Sequence, residues 1–134
     1  MINILHIGLT YSCNMKCKHC FVKKNEDKLS TKKIIDIIDY LEKKGLMMVI
    51  YTYGEPLLAK NFDEVSNYIN NKNIAQTLMT NGSLLNEKNI SILKKNNIKN
   101  IMISLDSINE EYHDSNRNYK GSYKKIFNSL DTAK

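Results

Sequence analysis

The sequence predicts an α/β fold built on a parallel sheet. Three observations predict it: strand-like and helix-like segments alternate four times, the strand-like segments are short apolar runs, and each of them ends in a cluster of polar or turn-forming residues. Strict alternation of this kind joins parallel strands through right-handed crossovers. With 134 residues, 42% of them apolar and 25% charged, the chain has the length and composition of one globular domain with a real core.

Ile2 to Leu9 is rich in β-favouring residues and is expected to be the first strand, leading into a loop that carries every cysteine. A helix follows: Ser30 or Thr31 can cap it, apolar residues recur at Ile34, Ile35, Ile37, Ile38 and Leu41, and Gly45 can close it in the left-handed conformation. Leu46 to Tyr51 is a continuous apolar run, the pattern of a strand buried on both faces, and Thr52-Tyr53-Gly54-Glu55-Pro56 after it must turn. The cycle repeats with a helix near Asn61 to Asn71, bearing Phe62, Val65 and Ile69, and a strand from Ile74 to Met79 punctuated by Thr80-Asn81-Gly82. A third helix from Asn86 to Asn96 turns Ile90 and Leu93 inward, and a fourth strand runs from Ile98 to Leu105. His113 to Tyr119 reads as a loop at the rim, and a last helix from Ser122 to Ala133 carries Ile126, Phe127 and Leu130.

In parallel α/β proteins ligands bind at the carboxyl ends of the strands. The cysteine loop, the Gly-Glu-Pro turn, the Thr-Asn-Gly turn and Ser104-Leu105-Asp106 all fall there, so the unusual residues converge on one surface.

Several function classes recede. No stretch approaches the roughly 18 apolar residues of a membrane span, and the start Met1-Ile2-Asn3-Ile4-Leu5-His6 lacks the basic-then-apolar layout of a signal peptide, so a cytoplasmic protein without a membrane partner is expected. Twenty basic residues against 14 acidic give a net charge of +6. The lysines are scattered, as in Lys32-Lys33, Lys43-Lys44 and Lys94-Lys95, and interleaved with acids, which fits solvated helix faces and argues against a nucleic-acid partner. Nineteen of the 20 basic residues are lysines, which singles out Arg117, and Pro56 is the only proline.

Three cysteines within eight residues make a poor disulfide framework and a good metal or cluster site. Cys13, Cys17 and Cys20 can hold three corners of a cubane cluster and leave the fourth iron open to another ligand. The alternative is a zinc site completed by His19 or His6, in a non-catalytic binding module. His19 lies between two of the thiols, where chelation of the same metal is awkward.

The segment Leu9-Thr10-Tyr11-Ser12-Cys13-Asn14-Met15-Lys16-Cys17-Lys18-His19-Cys20-Phe21 resembles the cluster loop of the radical S-adenosylmethionine superfamily. The resemblance extends along the chain: Tyr53-Gly54-Glu55-Pro56-Leu57-Leu58 is similar to the family's Gly-Gly-Glu-Pro segment, Thr80-Asn81-Gly82 to its third-strand turn, and Ser104-Leu105-Asp106-Ser107 with His113, Asp114 and Arg117 to its fourth-strand region. It implies a TIM-like partial barrel of parallel βα units. The chain supplies about four such units where the family has six or more, so residues 1–134 read as a core domain truncated after the fourth unit.

The resemblance also implies cofactors and roles. Cys13, Cys17 and Cys20 would bind a [4Fe–4S] cluster, whose open iron takes the amino and carboxylate groups of S-adenosylmethionine; one electron, from a donor such as flavodoxin or ferredoxin, would cleave it to a 5′-deoxyadenosyl radical. Tyr53, Gly54, Glu55 and Pro56 would lie along the methionine amino group, and Asn81 on the third-strand turn. Ser104, Asp106 and Arg117 would serve the ribose and carboxylate, and His19 would stand beside the adenine. Residue chemistry alone leaves plainer alternatives: Glu55 as an exposed turn residue, Asp106 or Ser104 as a cap or turn former, His19 as a surface histidine, and Arg117 as a tie between loop and barrel rim. Tyr53 stands where the family has a glycine and is expected to reshape the methionine pocket. The nearest likeness is to peptide- and protein-modifying maturases, which makes a peptide the expected substrate, although no cysteine remains for an auxiliary cluster. A fragment that binds both cofactors without turnover is the other outcome the resemblance allows.

Overall fold

The computed structural model describes residues 2–23 and 28–132. Four parallel strands, β1 (Ile4–Ile7), β2 (Met48–Tyr51), β3 (Ala75–Thr80) and β4 (Asn100–Ile103), lie side by side in chain order. Their registers, Leu5 opposite Val49, Tyr51 opposite Leu78 and Thr80 opposite Ile103, bring all four carboxyl ends to one rim. Sequential parallel strands flanked by helices form a partial α/β barrel.

Helices α1 (Thr31–Glu42), α2 (Phe62–Asn70) and α3 (Glu87–Lys95) form where the apolar period places them. The Ser30 hydroxyl accepts from the Lys33 amide at 3.3 Å to start α1, and Gly45, at φ +92°, ends that turn before β2. Ile34, Ile38, Val65 and Ile69 are buried from these helices against Ile7, Val49, Tyr51 and Leu78 of the sheet. Burial of each such side chain contributes about 1.5–3 kcal/mol. The strands are shorter than their apolar runs, because Leu46, Leu9 and Ile98 are buried in flanking segments outside the ladders. The predicted end of the last helix, Ala133, lies outside the described residues.

Two expectations need correction. Leu46 to Tyr51 is not buried on both faces: Val49 and Tyr51 are buried beneath helices, whereas Met48 and Ile50, on the opposite face, are only half-buried. The described helices bury one side of the sheet, and Ile4 and Met102, on the other side, are 52% and 53% exposed.

The second correction is that β4 is followed by two helices. The segment expected to be a loop forms α4 (Glu110–Arg117), and α5 (Ser122–Thr132) comes after it. Polar end signals hold α4 together: the Asn109 side chain accepts from the Tyr112 amide at 2.8 Å, Glu110 and Glu111 occupy the first turn, Arg117 the last, and Asn118 closes it with φ +49°. Asp114 then joins the two helices by accepting from the Ser122 hydroxyl at 2.8 Å and the Tyr123 amide at 2.9 Å.

Candidate metal and cofactor site

The cysteine loop is held between the β2 turn and α4. On one side the Glu55 amide donates to the Ser12 carbonyl at 2.8 Å. The backbone there turns through two left-handed residues, Tyr53 (φ +60°) and Gly54 (φ +53°). A Cβ on Gly54 would stand 2.5 Å from the Ser12 carbonyl oxygen and 2.6 Å from that of Thr10, so the glycine is required by contact with the cysteine loop itself. Tyr53 accepts a conformation that L residues disfavour. Its ring lies over Gly8, where an added Cβ would be 3.2 Å from it, and meets Tyr11 edge-on at 6.4 Å.

On the other side, the Lys18 amide donates to the Asn116 carbonyl at 2.8 Å and the Lys18 ammonium to the Ser115 hydroxyl at 2.7 Å. Asn116 and His19 are 3.0 Å apart through Nδ2 and Nδ1. Lys18 has only its place in the cysteine loop to mark it in the sequence, and Ser115 and Asn116 only the cap residues of α4. A third attachment comes from the β3 turn, where Asn81 donates to Asn14 at 2.9 Å and Asn14 to Ser83 at 2.8 Å.

So anchored, Cys13, Cys17 and Cys20 line one cavity of about 160 Å³ together with Tyr11, Met15, Phe21, Val22, Thr52, Tyr53 and Gly54. Donors approach two of the sulfurs. Asn81 Nδ2 and the Met15 amide lie 3.9 and 3.4 Å from Cys13 Sγ, and Arg117 Nη1 lies 3.9 Å from Cys17 Sγ. Three thiols facing a largely apolar cavity, with N–H groups behind them, are a donor set that could hold an iron–sulfur cluster. Among the described residues no three His, Cys, Asp or Glu side chains are arranged to hold a single metal ion.

Glu55 is not an exposed turn residue. It is fully buried, and its carboxylate accepts from the Thr80 hydroxyl at 2.8 Å, the Asn81 amide at 2.9 Å and the Leu57 amide at 3.3 Å, clamping the β2 turn to the end of β3. Burial pushes its carboxyl above the ordinary glutamate range despite those three donors. Pro56 is buried at the start of the short 3-10 turn Pro56–Leu58. Ser104 is half-buried just past β4, and its amide donates to the Thr80 carbonyl at 3.0 Å.

Asp106 is the hub of the α4 side of the same rim. Its carboxylate pairs with Arg117 Nη2, accepts from Asn116 at 2.7 Å and lies 4.0 Å from His19, while its amide donates to Nδ1 of buried His113 at 3.2 Å. Burial opposes the charged form of Asp106, but the Arg117 and Asn116 bonds outweigh it and hold the carboxyl below its usual range. Burial first, and the Arg117 charge second, hold His113 below the ordinary histidine range. Arg117 is therefore tied to the rim, with its planar fork turned toward Asp106 and Cys17.

Comparison with known proteins decides the family. The model of the radical SAM superfamily matches residues 7–134. The chain belongs to that superfamily. Radical SAM proteins bind a [4Fe–4S] cluster and S-adenosylmethionine. Among curated relatives, the antilisterial bacteriocin subtilosin biosynthesis protein AlbA of Bacillus subtilis is 36% identical over 119 residues, covering 86% of this chain and 27% of AlbA. The GTP 3′,8-cyclase of Clostridium botulinum is 31% identical over 139 aligned positions, covering 98% of this chain and 43% of the cyclase. The chain thus spans less than half the length of either relative. Streptococcus suis SuiB, solved with its precursor peptide SuiA, shares the fold with a TM-score of 0.82 at 21% identity, over all of this chain and 31% of SuiB. No helix among the described residues of this radical SAM chain is long and apolar enough to cross a membrane.

Proposed function

We propose that this radical SAM chain holds a [4Fe–4S] cluster through Cys13, Cys17 and Cys20 and binds S-adenosylmethionine against it for reductive cleavage, with a peptide as the substrate of the radical so formed. The observation that carries the reading is the single cavity shared by the three cysteines and the Thr52-Tyr53-Gly54 turn. When bound, the cluster and S-adenosylmethionine supply one-electron cleavage of a carbon–sulfur bond and a 5′-deoxyadenosyl radical that abstracts hydrogen. Residues 1–134 correspond, in this reading, to the first four strand–helix units of the core domain.

The chain's own residues bind, orient and exclude. Thr52, Tyr53 and Gly54 line the cavity with the cysteines, and in this reading their peptide carbonyls would receive the ammonium group. Glu55 serves that turn from behind, since its carboxylate is occupied by Thr80, Asn81 and Leu57. Pro56 stiffens the exit of the turn. Tyr53 and Met15 restrict water at the cavity wall, and Asn81 positions Asn14 and Cys13. Asp106, with Ser104 nearby in sequence and His19 at 4.0 Å, forms a polar rim suited to ribose hydroxyls and an adenine edge. Arg117 enters through Asp106 and Cys17 instead of gripping the methionine carboxylate itself.

The peptide reading is supported by AlbA, a bacteriocin biosynthesis protein, and by SuiB, solved with a precursor peptide. Cysteines that must stay reduced to bind iron fit a reducing compartment such as the cytoplasm. In anaerobic assays, the reconstituted chain with reductant and S-adenosylmethionine is expected to release 5′-deoxyadenosine, measured by chromatography, and Cys17→Ala is expected to release none. An iron-replete wild-type chain that shifts its spectrum on adding S-adenosylmethionine yet releases no 5′-deoxyadenosine would restrict the function to binding.

A further inference from the structure

We infer that the Arg117–Asp106 pair sets the reduction potential of the cluster, with buried Arg117 acting on Cys17 and half-buried Asp106 moderating its charge. The inference rests on the cluster reading above.

Arg117 is the single arginine of a lysine-rich chain and is 8% exposed. Its nitrogens divide unequally. Nη2 pairs with Asp106 Oδ1, Nη1 points at Cys17 Sγ from 3.9 Å, and Nε is buried with no hydrogen-bond partner among the described residues. A neutral thiol is a weak acceptor, so a guanidinium so incompletely satisfied is unfavourable beside it. A metal-bound thiolate is a strong acceptor for the same N–H, and the arrangement becomes favourable once Cys17 ligates iron. The surroundings fix it in place. Lys18, next to Cys17, is bonded to Asn116, next to Arg117, and His113 holds the Asp106 backbone. Lysine could supply the charge but not a fork that spans a carboxylate and a sulfur at once.

Hydrogen bonds to the ligating sulfurs and net positive charge near a cluster both favour its reduced form, which carries one more electron. Asp106 offsets that charge, since its carboxylate lies on the same guanidinium. The two residues therefore act in opposite directions on the cluster while acting together on the packing of α4.

The test is an anaerobic redox titration, followed by electron paramagnetic resonance, of the reconstituted full chain without S-adenosylmethionine. Arg117→Gln is expected to move the potential to a more negative value. Asp106→Asn keeps the shape, leaves the guanidinium uncompensated and is expected to move it to a less negative value. Should Arg117→Gln fail to fold, the isosteric Asp106→Asn variant alone tests the sign. Iron-replete variants with the wild-type potential, or shifted in the same direction, would overturn the inference and leave the cluster reading intact. A wild-type chain that takes up no iron would overturn both.

Discussion

Gly54→Ala is expected to lower stability by roughly 3–5 kcal/mol, at the upper end of single-substitution effects. Two causes add. Alanine at φ +53° leaves the region favoured by L residues, a penalty of about 1–2 kcal/mol. Its Cβ would also fall 2.5 and 2.6 Å from two backbone carbonyl oxygens, and backbone cannot swing aside as a side chain can. The conflict is relieved only by moving Thr10 to Ser12, which lead directly into Cys13. For a domain with about 5–15 kcal/mol of total stability, such a loss leaves little margin. Urea unfolding followed by circular dichroism measures it, and the variant's iron uptake is expected to fall with it. A midpoint within error of wild type would show that the turn does not press on the cysteine loop.

Glu55→Ala is expected to cost about 2–4 kcal/mol, because the Thr80 hydroxyl and the Asn81 and Leu57 amides lose one shared acceptor in a buried site. The charge adds a pH dependence. With its native pKa raised by burial, the folded chain binds the Glu55 proton more tightly than the unfolded chain. Its contribution is fully present below the unfolded value and is lost as pH rises through the native one. Asp106 and Asp114, both held below their usual range, act oppositely and lose their contributions on acidification. Glu55→Gln cannot ionise. Plotted as the difference from wild type, its stability should therefore increase relative to wild type as pH climbs above the ordinary glutamate range. A pH-independent difference would mean that the Glu55 pKa is not raised.

Much of this was legible in the sequence, for a physical reason. Three of the helices bury a face, so Ile34 and Ile38, Val65 and Ile69, and Ile90 and Leu93 announce their period, and the short apolar runs announce the strands. Helix α4 buries His113 and Arg117 instead of an apolar stripe, so only its caps, Asn109 and Asn118, mark it. The cysteines and Gly54 stand out by residue type. The surroundings of Glu55 do not, because its acceptor role depends on donors 25 and 26 residues away, brought near by pairing of β2 with β3. The same holds for Arg117, which meets Cys17 across 100 residues. Side-chain type suggested an ion grip, and only tertiary contact shows where the fork is aimed.

Iron content tests the central claim most directly. After anaerobic reconstitution and desalting, the wild-type chain should carry about four irons and four sulfides with broad charge-transfer absorbance, and Cys13→Ala, Cys17→Ala and Cys20→Ala should each lose that absorbance. A colourless wild-type protein that retains one zinc and no iron would contradict the account.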